Sequence, residues 1–492
     1  MNQNPMNDMT RLIKYPIIVL LAIFIFGCSV GPDFVKPEVN SPKEFRFDSS
    51  VADSILTFSW WELFNDTVLD TLIREALRQN YDVRIAASRI EEARAAWRYK
   101  RADNFPKVGY EGNIQGNTLN PVLVNGSTDI KSTYYAAPAL SWEIDFWGKY
   151  RRSTESARAE MLATEYAHRG IMISLITDVT AIYFELLDYD NRLEISKNTL
   201  ISRQEYLNIM QERYNKGIIA EIELNQAQIQ EAIAAAAIPV FTRWVAETEN
   251  VLSILLGRNP GPILRGMPLE DQVIPPDIPP GLPSDLLQRR PDILQAEQMV
   301  ASQNAMIGVA QAMRFPSFNL TALFGVASPE LTTAAISAAW SISGSILGPI
   351  FNFGKNKRRV EIERKRTEQA YFMYDRAVLE AFRETEDALV GVSTLKDQLV
   401  AVERQKKAAT NANMLSKARY DEGITSYLEV LDSERTLFDV SLNASEVLQY
   451  RLNSYVYLYK VLGGGWISEE EKATVEQAEQ AAQAAQAAQG GQ

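Results

Sequence analysis

The sequence predicts a mixed α and β membrane protein, built as a tandem repeat of long helices and short strands, whose strands close a β-barrel only when copies of the chain associate. Three observations lead there: an internal duplication, two helical runs of unusual length, and four segments in which apolar and polar residues alternate.

The duplication comes first, because a repeat sets the frame for every later element. Phe146-Trp147-Gly148-Lys149 matches Asn352-Phe353-Gly354-Lys355 at an offset of 206, and Arg213-Tyr214-Asn215-Lys216-Gly217-Ile218 matches Arg419-Tyr420-Asp421-Glu422-Gly423-Ile424 at the same offset. Upstream, Phe105-Pro106 matches Phe315-Pro316, and Asp82 with Ala86 matches Asp292 with Ala296, both at 210. The chain therefore divides into a first repeat, 61–273, a Pro-rich linker, 274–283, and a second repeat, 284–466.

Within each repeat the helical segments are long. From Lys149 to Lys216 and from Lys355 to Glu422 there is no proline and one glycine each, Gly170 and Gly391. A single helix over either run would measure ~100 Å at about 1.5 Å per residue. Shorter runs follow, Ile218–Ala237 before Pro239 and Ile424–Leu462, so that long helices are expected over about 149–256 and 355–462. A coiled-coil spacer would show the same lengths, and helices alone leave the two readings open.

The strand pairs fall at about 106–146 and 316–351. Val108, Tyr110, Gly112 and Ile114 alternate with Glu111, Asn113, Gln115 and Asn117, and Tyr134, Ala136, Leu140, Trp142, Ile144 and Phe146 with Thr133, Ser141, Glu143 and Asp145. In the second repeat Phe318, Leu320, Ala322 and Phe324 alternate with Asn319, Thr321 and Gly325, and Ile336, Ala338, Trp340, Ile342 and Ile346 with Ser337, Ser341, Ser343 and Ser345. A period of two places one set on each side of a sheet. A soluble sheet alternates too, but here the polar face is mainly Ser, Thr, Asn and Gln, as in a barrel wall with lipid outside and water inside. Four strands cannot close a barrel, since single-chain barrels begin at about eight. Two copies supply eight strands and three supply twelve, and only the larger ring leaves an open lumen. The arithmetic favours a trimer.

Composition narrows the function. The chain has 492 residues, a formal charge of −12, one His and one Cys. An acidic balance argues against a nucleic-acid partner, and the lack of Cys and His leaves no disulfide framework or Cys/His metal site. No acid, base or nucleophile cluster stands out, so an enzyme is not expected. His168, inside a long helix, reads as a packing or surface residue, and the basic cluster from Lys355 to Arg366 as a solvated helix start.

Residues 1–27 read as a secretory signal: Arg11 and Lys14 precede an apolar run from Ile17 to Phe26 that is too short to span a bilayer. Ile25-Phe26-Gly27-Cys28 resembles a lipobox, which implies acylation of Cys28 after cleavage, and Ser29 in the next position implies sorting to the outer membrane. No later stretch reads as a transmembrane helix, so any crossing is by strands. The tail 467–492 is rich in Ala, Gln and Glu and reads as low-complexity.

The mature chain resembles the outer membrane factor family, the TolC/OprM-type ducts, in its lipoprotein branch. The markers are Gly31-Pro32-Asp33-Phe34 with Pro37, Leu282-Pro283-Ser284-Asp285-Leu286-Leu287, Arg289-Arg290-Pro291-Asp292-Ile293, Tyr427-Leu428-Glu429-Val430-Leu431-Asp432, and Tyr459-Lys460-Val461-Leu462-Gly463-Gly464-Gly465-Trp466. The resemblance implies a homotrimer with a twelve-stranded outer-membrane barrel, continuous with a long periplasmic α-helical barrel and an equatorial domain that includes an N-terminal extension, 28–60. It implies passive conduction of drugs or other small molecules delivered by an inner-membrane efflux pump and a periplasmic adaptor protein. It implies no cofactor beyond the covalent lipid. Metal-ion efflux or polypeptide secretion through the same duct, and a pore-less coiled-coil lipoprotein, are the competing functions.

Leu428, Asp432 and Arg435 share one helix face by their spacing. On their own they read as a core leucine beside a surface ion pair. The resemblance instead makes them a periplasmic gate, three rings around the trimer axis, with Asp432–Arg435 pairs between or within chains holding the closed state. The duplicated positions carry Ile222, Gln226 and Ile229, so the charged gate belongs to the second repeat alone. Gly217 and Gly423 mark the helix turns, where a positive φ is expected, and the resemblance places adaptor contact at those tips.

Overall fold

In a computed structural model of the chain, the described residues are 29–39, 41–42, 44–47, 60–118, 130–275, 283–328 and 337–464. Cys28 with the signal segment, most of the Pro-rich linker, and the tail from Gly465 lie outside them.

A 3₁₀ turn at Trp60–Phe64 leads into α1 (Thr67–Gln79), α2 (Tyr81–Ala102), β1 (Lys107–Thr118), β2 (Ile130–Ile144), α3 (Lys149–Asn215) and α4 (Glu221–Leu255). The second repeat supplies α5 (Leu286–Arg289), α6 (Pro291–Ala312), β3 (Ser317–Ser328), β4 (Ser337–Leu347), α7 (Lys355–Asp421) and α8 (Tyr427–Val461). The duplication is carried through to the backbone. At both ends α3 and α7 differ by 206 positions, as do α4 and α8, whereas α2 and α6, and β1 and β3, differ by 210.

Two sequence expectations meet the structure here. The helix expected to reach about 256 runs to Leu255 with Pro239 inside it. Proline costs the helix only the hydrogen bond to the carbonyl of Ala235 and a local clash, and flanking side chains hold the axis: Ala234 and Phe241 are both buried. Second, α3 is long and apolar enough in part to satisfy the criteria for a membrane span, although no such stretch was expected beyond the signal. Its apolar residues Leu175, Ile176, Val179, Phe184 and Leu187 belong to a packed core instead.

The chain forms two compact units, and each draws on both repeats. Of the described residues, the first comprises those up to Glu38 and those within Arg89–Glu165 and Gln295–Tyr374. Its centre is one antiparallel sheet in the order β1-β2-β3-β4. The register sorts the residues by face. Val108 lies opposite Leu140, Leu140 opposite Ala322 and Trp142 opposite Leu320, and Phe324 opposite Trp340. On the other face Lys107 lies opposite Ser141, Ser141 opposite Thr321, Glu143 opposite Asn319, and Thr321 opposite Ser343. A slip of one residue at any junction would exchange the faces, so the alternation and the pairing specify each other. The start of the N-terminal extension packs in this unit: Val30 N donates to Trp147 O, and Asn304 Nδ2 to Pro32 O.

The second unit comprises the described residues within Val39–Ser88 and Tyr166–Leu294 and those from Asp375 to Gly464. Its core gathers Trp60, Phe64, Leu69 and Ile73 against Ile176, Tyr183 and Phe184 of α3 and Leu452, Tyr455 and Tyr459 of α8. Trp60 stacks on Tyr459 with ring centroids 4.7 Å apart, an arrangement worth about 0.5–1.5 kcal/mol beyond the area it buries. Asp66 ties the core to the loops. It caps α1 by accepting from the amides of Val68 and Leu69, and it also accepts from Tyr183 Oη and Gln272 Nε2, both at 2.9 Å.

Candidate functional site

Each long hairpin turns through a glycine. Gly217 and Gly423 have φ of 70° and 72°, the left-handed conformation that other residues adopt at a cost. Gly217 N donates to Tyr214 O and Ile218 N to Arg213 O, and the same bonds recur from Gly423 to Tyr420 and from Ile424 to Arg419. These are Schellman caps, which satisfy the last carbonyls of α3 and α7 before the chain reverses. The following isoleucines, Ile218 and Ile424, stay exposed.

Beyond its turn, α8 has two faces. Tyr427, Val430, Glu434 and Phe438 are buried, at the i, i+3, i+7 spacing of a packed stripe. Leu428 is 63% exposed, and Asp432 and Arg435 are exposed beside it. Leu428 is thus not a core leucine, and among the described residues Asp432 and Arg435 form no ion pair within the chain. All three gate candidates share the face of α8 that the protomer leaves uncovered.

The buried stripe holds residues that sequence reasoning missed. Tyr206, Met210, Leu224, Ala227, Tyr420, Tyr427 and Val430 form a separate core at the hairpin ends. Tyr206 and Tyr427 stack at 5.6 Å, and burial raises the pKa of both phenols. Tyr420 Oη donates to Glu223 Oε2 at 3.1 Å, and Arg213 pairs with Asp421 at 3.2 Å. Arg203 is buried on the same seam. It donates to Gln230 O at 2.6 Å and to Glu434 O at 3.4 Å, and its guanidinium lies 5.0 Å from the centre of the Phe438 ring. Burial lowers its pKa. Glu434 itself pairs with Lys417 at 2.8 Å. The duplicated Arg-Tyr dipeptide was the available signal, but Tyr420 is buried where its counterpart Tyr214 is exposed, and identical residue types cannot reveal that difference.

His168 is half-buried, and its pKa is lowered first by burial and then by the adjacent Arg169. Among the described residues no group of three or more His, Cys, Asp or Glu side chains could hold a metal ion.

The sheet, by contrast, presents a wall. Val108, Tyr110, Phe324, Trp340, Ile342 and Ile346 all project from its apolar face and are exposed. β1 and β4 are edge strands, each with one neighbour in the sheet.

The family model for outer membrane efflux proteins matches residues 72–258 and 282–464. The chain belongs to the outer membrane efflux protein family. The two matched stretches follow the two repeats. Among its relatives, the cation efflux system protein CusC of Escherichia coli O6:H1 is 32% identical over 455 residues, covering 91% of this chain and 97% of CusC. The solvent efflux pump outer membrane protein SrpC of Pseudomonas putida is 34% identical over 472 residues, covering 92% and 99%. Among solved structures, the open state of the MtrE outer membrane channel of Neisseria gonorrhoeae superposes with a TM-score of 0.79 at 28% identity, covering 89% of this chain and 98% of MtrE. The family gives the uncovered surfaces their setting. Four strands per chain contribute to a trimeric, twelve-stranded outer-membrane barrel, accompanied by a long periplasmic helical barrel and an equatorial domain. The protein is an outer-membrane channel serving as the exit duct of a tripartite efflux system.

Proposed function

We propose that this duct accepts small molecules from an inner-membrane pump through a periplasmic adaptor and conducts them passively, and that Leu428, Asp432 and Arg435 form its periplasmic gate. The observation that carries the gate is the exposure of one apolar and two charged side chains on a single face of α8, opposite its buried stripe. In a trimer each becomes a ring of three. The leucines make a hydrophobic constriction, and the charged rings set the field at the mouth. Among the described residues neither Asp432 nor Arg435 is tied within its own chain, and in this reading the ties that hold the closed state run between chains.

Opening is an outward movement of the α7–α8 hairpin, with the adaptor engaging the tips at Gly217 and Gly423. It requires partners that bind the open form more tightly than the closed one. In planar bilayers Asp432→Ala and Arg435→Ala should raise single-channel conductance several-fold, and unchanged conductance in both would sink the gate.

The cargo is set upstream. CusC and SrpC serve cation and solvent efflux by name, and both are about equally similar to this chain, which supports a duct that leaves selection to the pump. Cys28 carries the lipid anchor, on the strength of the lipobox resemblance. Radiolabelled palmitate should enter the wild-type chain and fail to enter Cys28→Ala.

A further inference from the structure

The duplication relates the two strand hairpins residue by residue. β1 pairs Lys107 with Ser141, and β3 pairs Ser317 with Leu347. Advancing β1 by 210 and β2 by 206 converts the first register into the second without remainder. The junction between the hairpins, β2 to β3, pairs Trp142 with Leu320 and Ile144 with Phe318. Its duplicate, β4 to β1, is not made within the chain, where both are edge strands.

A second contact accompanies the β2–β3 junction. Trp147 stacks on Phe315 at 4.4 Å and 21°, and its Nε1 donates to Pro316 O at 2.9 Å. The duplicated residues are Phe353 and Phe105-Pro106. Phe353 is 92% exposed and Phe105 56%. Phe353 also holds a φ of 51°, while the glycines after Trp147 and Phe353 both stand at 80°. A bulky residue in the left-handed region is uncommon and calls for a reason; its ring leans on Phe351 at 4.7 Å and 59°, and among the described residues it has no flat stack like that of Trp147 on Phe315.

A twelve-stranded ring of three copies joins β4 of one copy to β1 of the next, and we propose the register of that junction: Leu347 opposite Glu111 of the partner subunit and Ile346 opposite Gly112 of the partner subunit, with Phe353 packed on Phe105 of the partner subunit. The inference rests on the trimeric reading and adds the register and the contact that close the ring. The faces agree across the junction, as two even offsets require. Ile346 lies with Ile342 and Trp340 on the apolar face, and Gly112 lies in step with Val108 and Tyr110 on the apolar face of β1. Leu347 and Glu111 fall together on the other. A displacement of one residue would join lipid-facing to water-facing positions.

Directly opposed antiparallel residues have Cα atoms about 4.5–5.5 Å apart, within reach of a disulfide. The full-length pair Leu347→Cys with Glu111→Cys should give a covalent trimer on non-reducing gels that reverts to monomer on reduction. Leu347→Cys with Gly109→Cys, displaced by two residues, should not. A side chain at Gly109 meets nothing within 4 Å, so that control keeps its fold. Cross-linking of the displaced pair, or of neither pair in a chain whose mass in detergent is that of a trimer, overturns the register. A monomeric mass overturns the trimer itself, which is a different result. For the aromatic contact, Phe353→Ala should lower the temperature at which the trimer dissociates in dodecyl sulfate, and Phe353→Trp should preserve it. An unchanged dissociation temperature for Phe353→Ala overturns the contact. So does Phe353→Cys reacting with a lipid-soluble maleimide as fully as Trp340→Cys, because it places the ring in lipid.

Discussion

Two residues eleven positions apart, Gly423 and Glu434, show how differently the sequence exposes its roles. Gly423 was legible, because a glycine repeated at the end of two long helical runs has a conformational reason to be there. Its cap is closed by backbone bonds, and a β-carbon there meets nothing within 4 Å. Gly423→Ala should therefore lose about 1–2 kcal/mol through φ alone, seen as a lower thermal midpoint with the hairpin intact. Gly217→Ala should behave alike. Glu434 was not legible. It lies between the gate candidates Asp432 and Arg435 and reads as one more helix-surface acid, yet it is buried against Lys417 and near Arg203. Which of three neighbouring charged residues turns inward depends on the helix phase, and that phase is set by the aromatic stripe of Tyr427 and Phe438.

At the scale of elements, the long helices and the strand faces followed from sequence because both are periodic. Their bounds came within a few residues of the observed ones, and the repeat offsets held at every paired helix end. Pro239 lies inside one of those expected spans. The local rule ends a helix there, but α4 passes through because Ala234 and Phe241 are anchored on either side. Replacing proline restores a donor for Ala235 O. Pro239→Ala should stabilise the unit by about 1–3 kcal/mol, measured as a higher midpoint in thermal unfolding followed by circular dichroism. The apolar stretch of α3 is the converse case. Composition alone cannot separate a membrane-spanning helix from a core helix, and it is the packing of Ile176, Val179 and Phe184 against α1 and α8 that assigns it to the interior.

At the scale of the whole molecule, the uncovered surfaces carry the function. A sheet with two open edges and an exposed apolar face is an aggregation hazard in water and a complete wall only in a closed ring within a membrane. Cys28→Ala behind a cleavable signal without a lipobox should therefore still need detergent and still have a trimeric mass, because the strands themselves supply the membrane association. A water-soluble monomer would sink the barrel and the gate together. The proposed gate depends on the same ring, because one protomer carries a single copy each of Leu428, Asp432 and Arg435.

The sequence by itself determined the duplication, the alternating strands, the long helices and the glycine turns. Each is a local or periodic property, and the residues that specify it are neighbours on the chain or equivalents at a constant offset. It also determined that four strands could not suffice, since closure is arithmetic. Only the tertiary structure decided which face of α8 is buried, that Arg203 and Glu434 form a seam with three tyrosines, that α4 survives its proline, and that each compact unit draws on both repeats. Those outcomes depend on contacts between residues up to two hundred or more positions apart, such as Arg203 with Glu434 and Arg213 with Asp421. The free energy of such contacts comes from burial and partner geometry, and neither is written in local spacing.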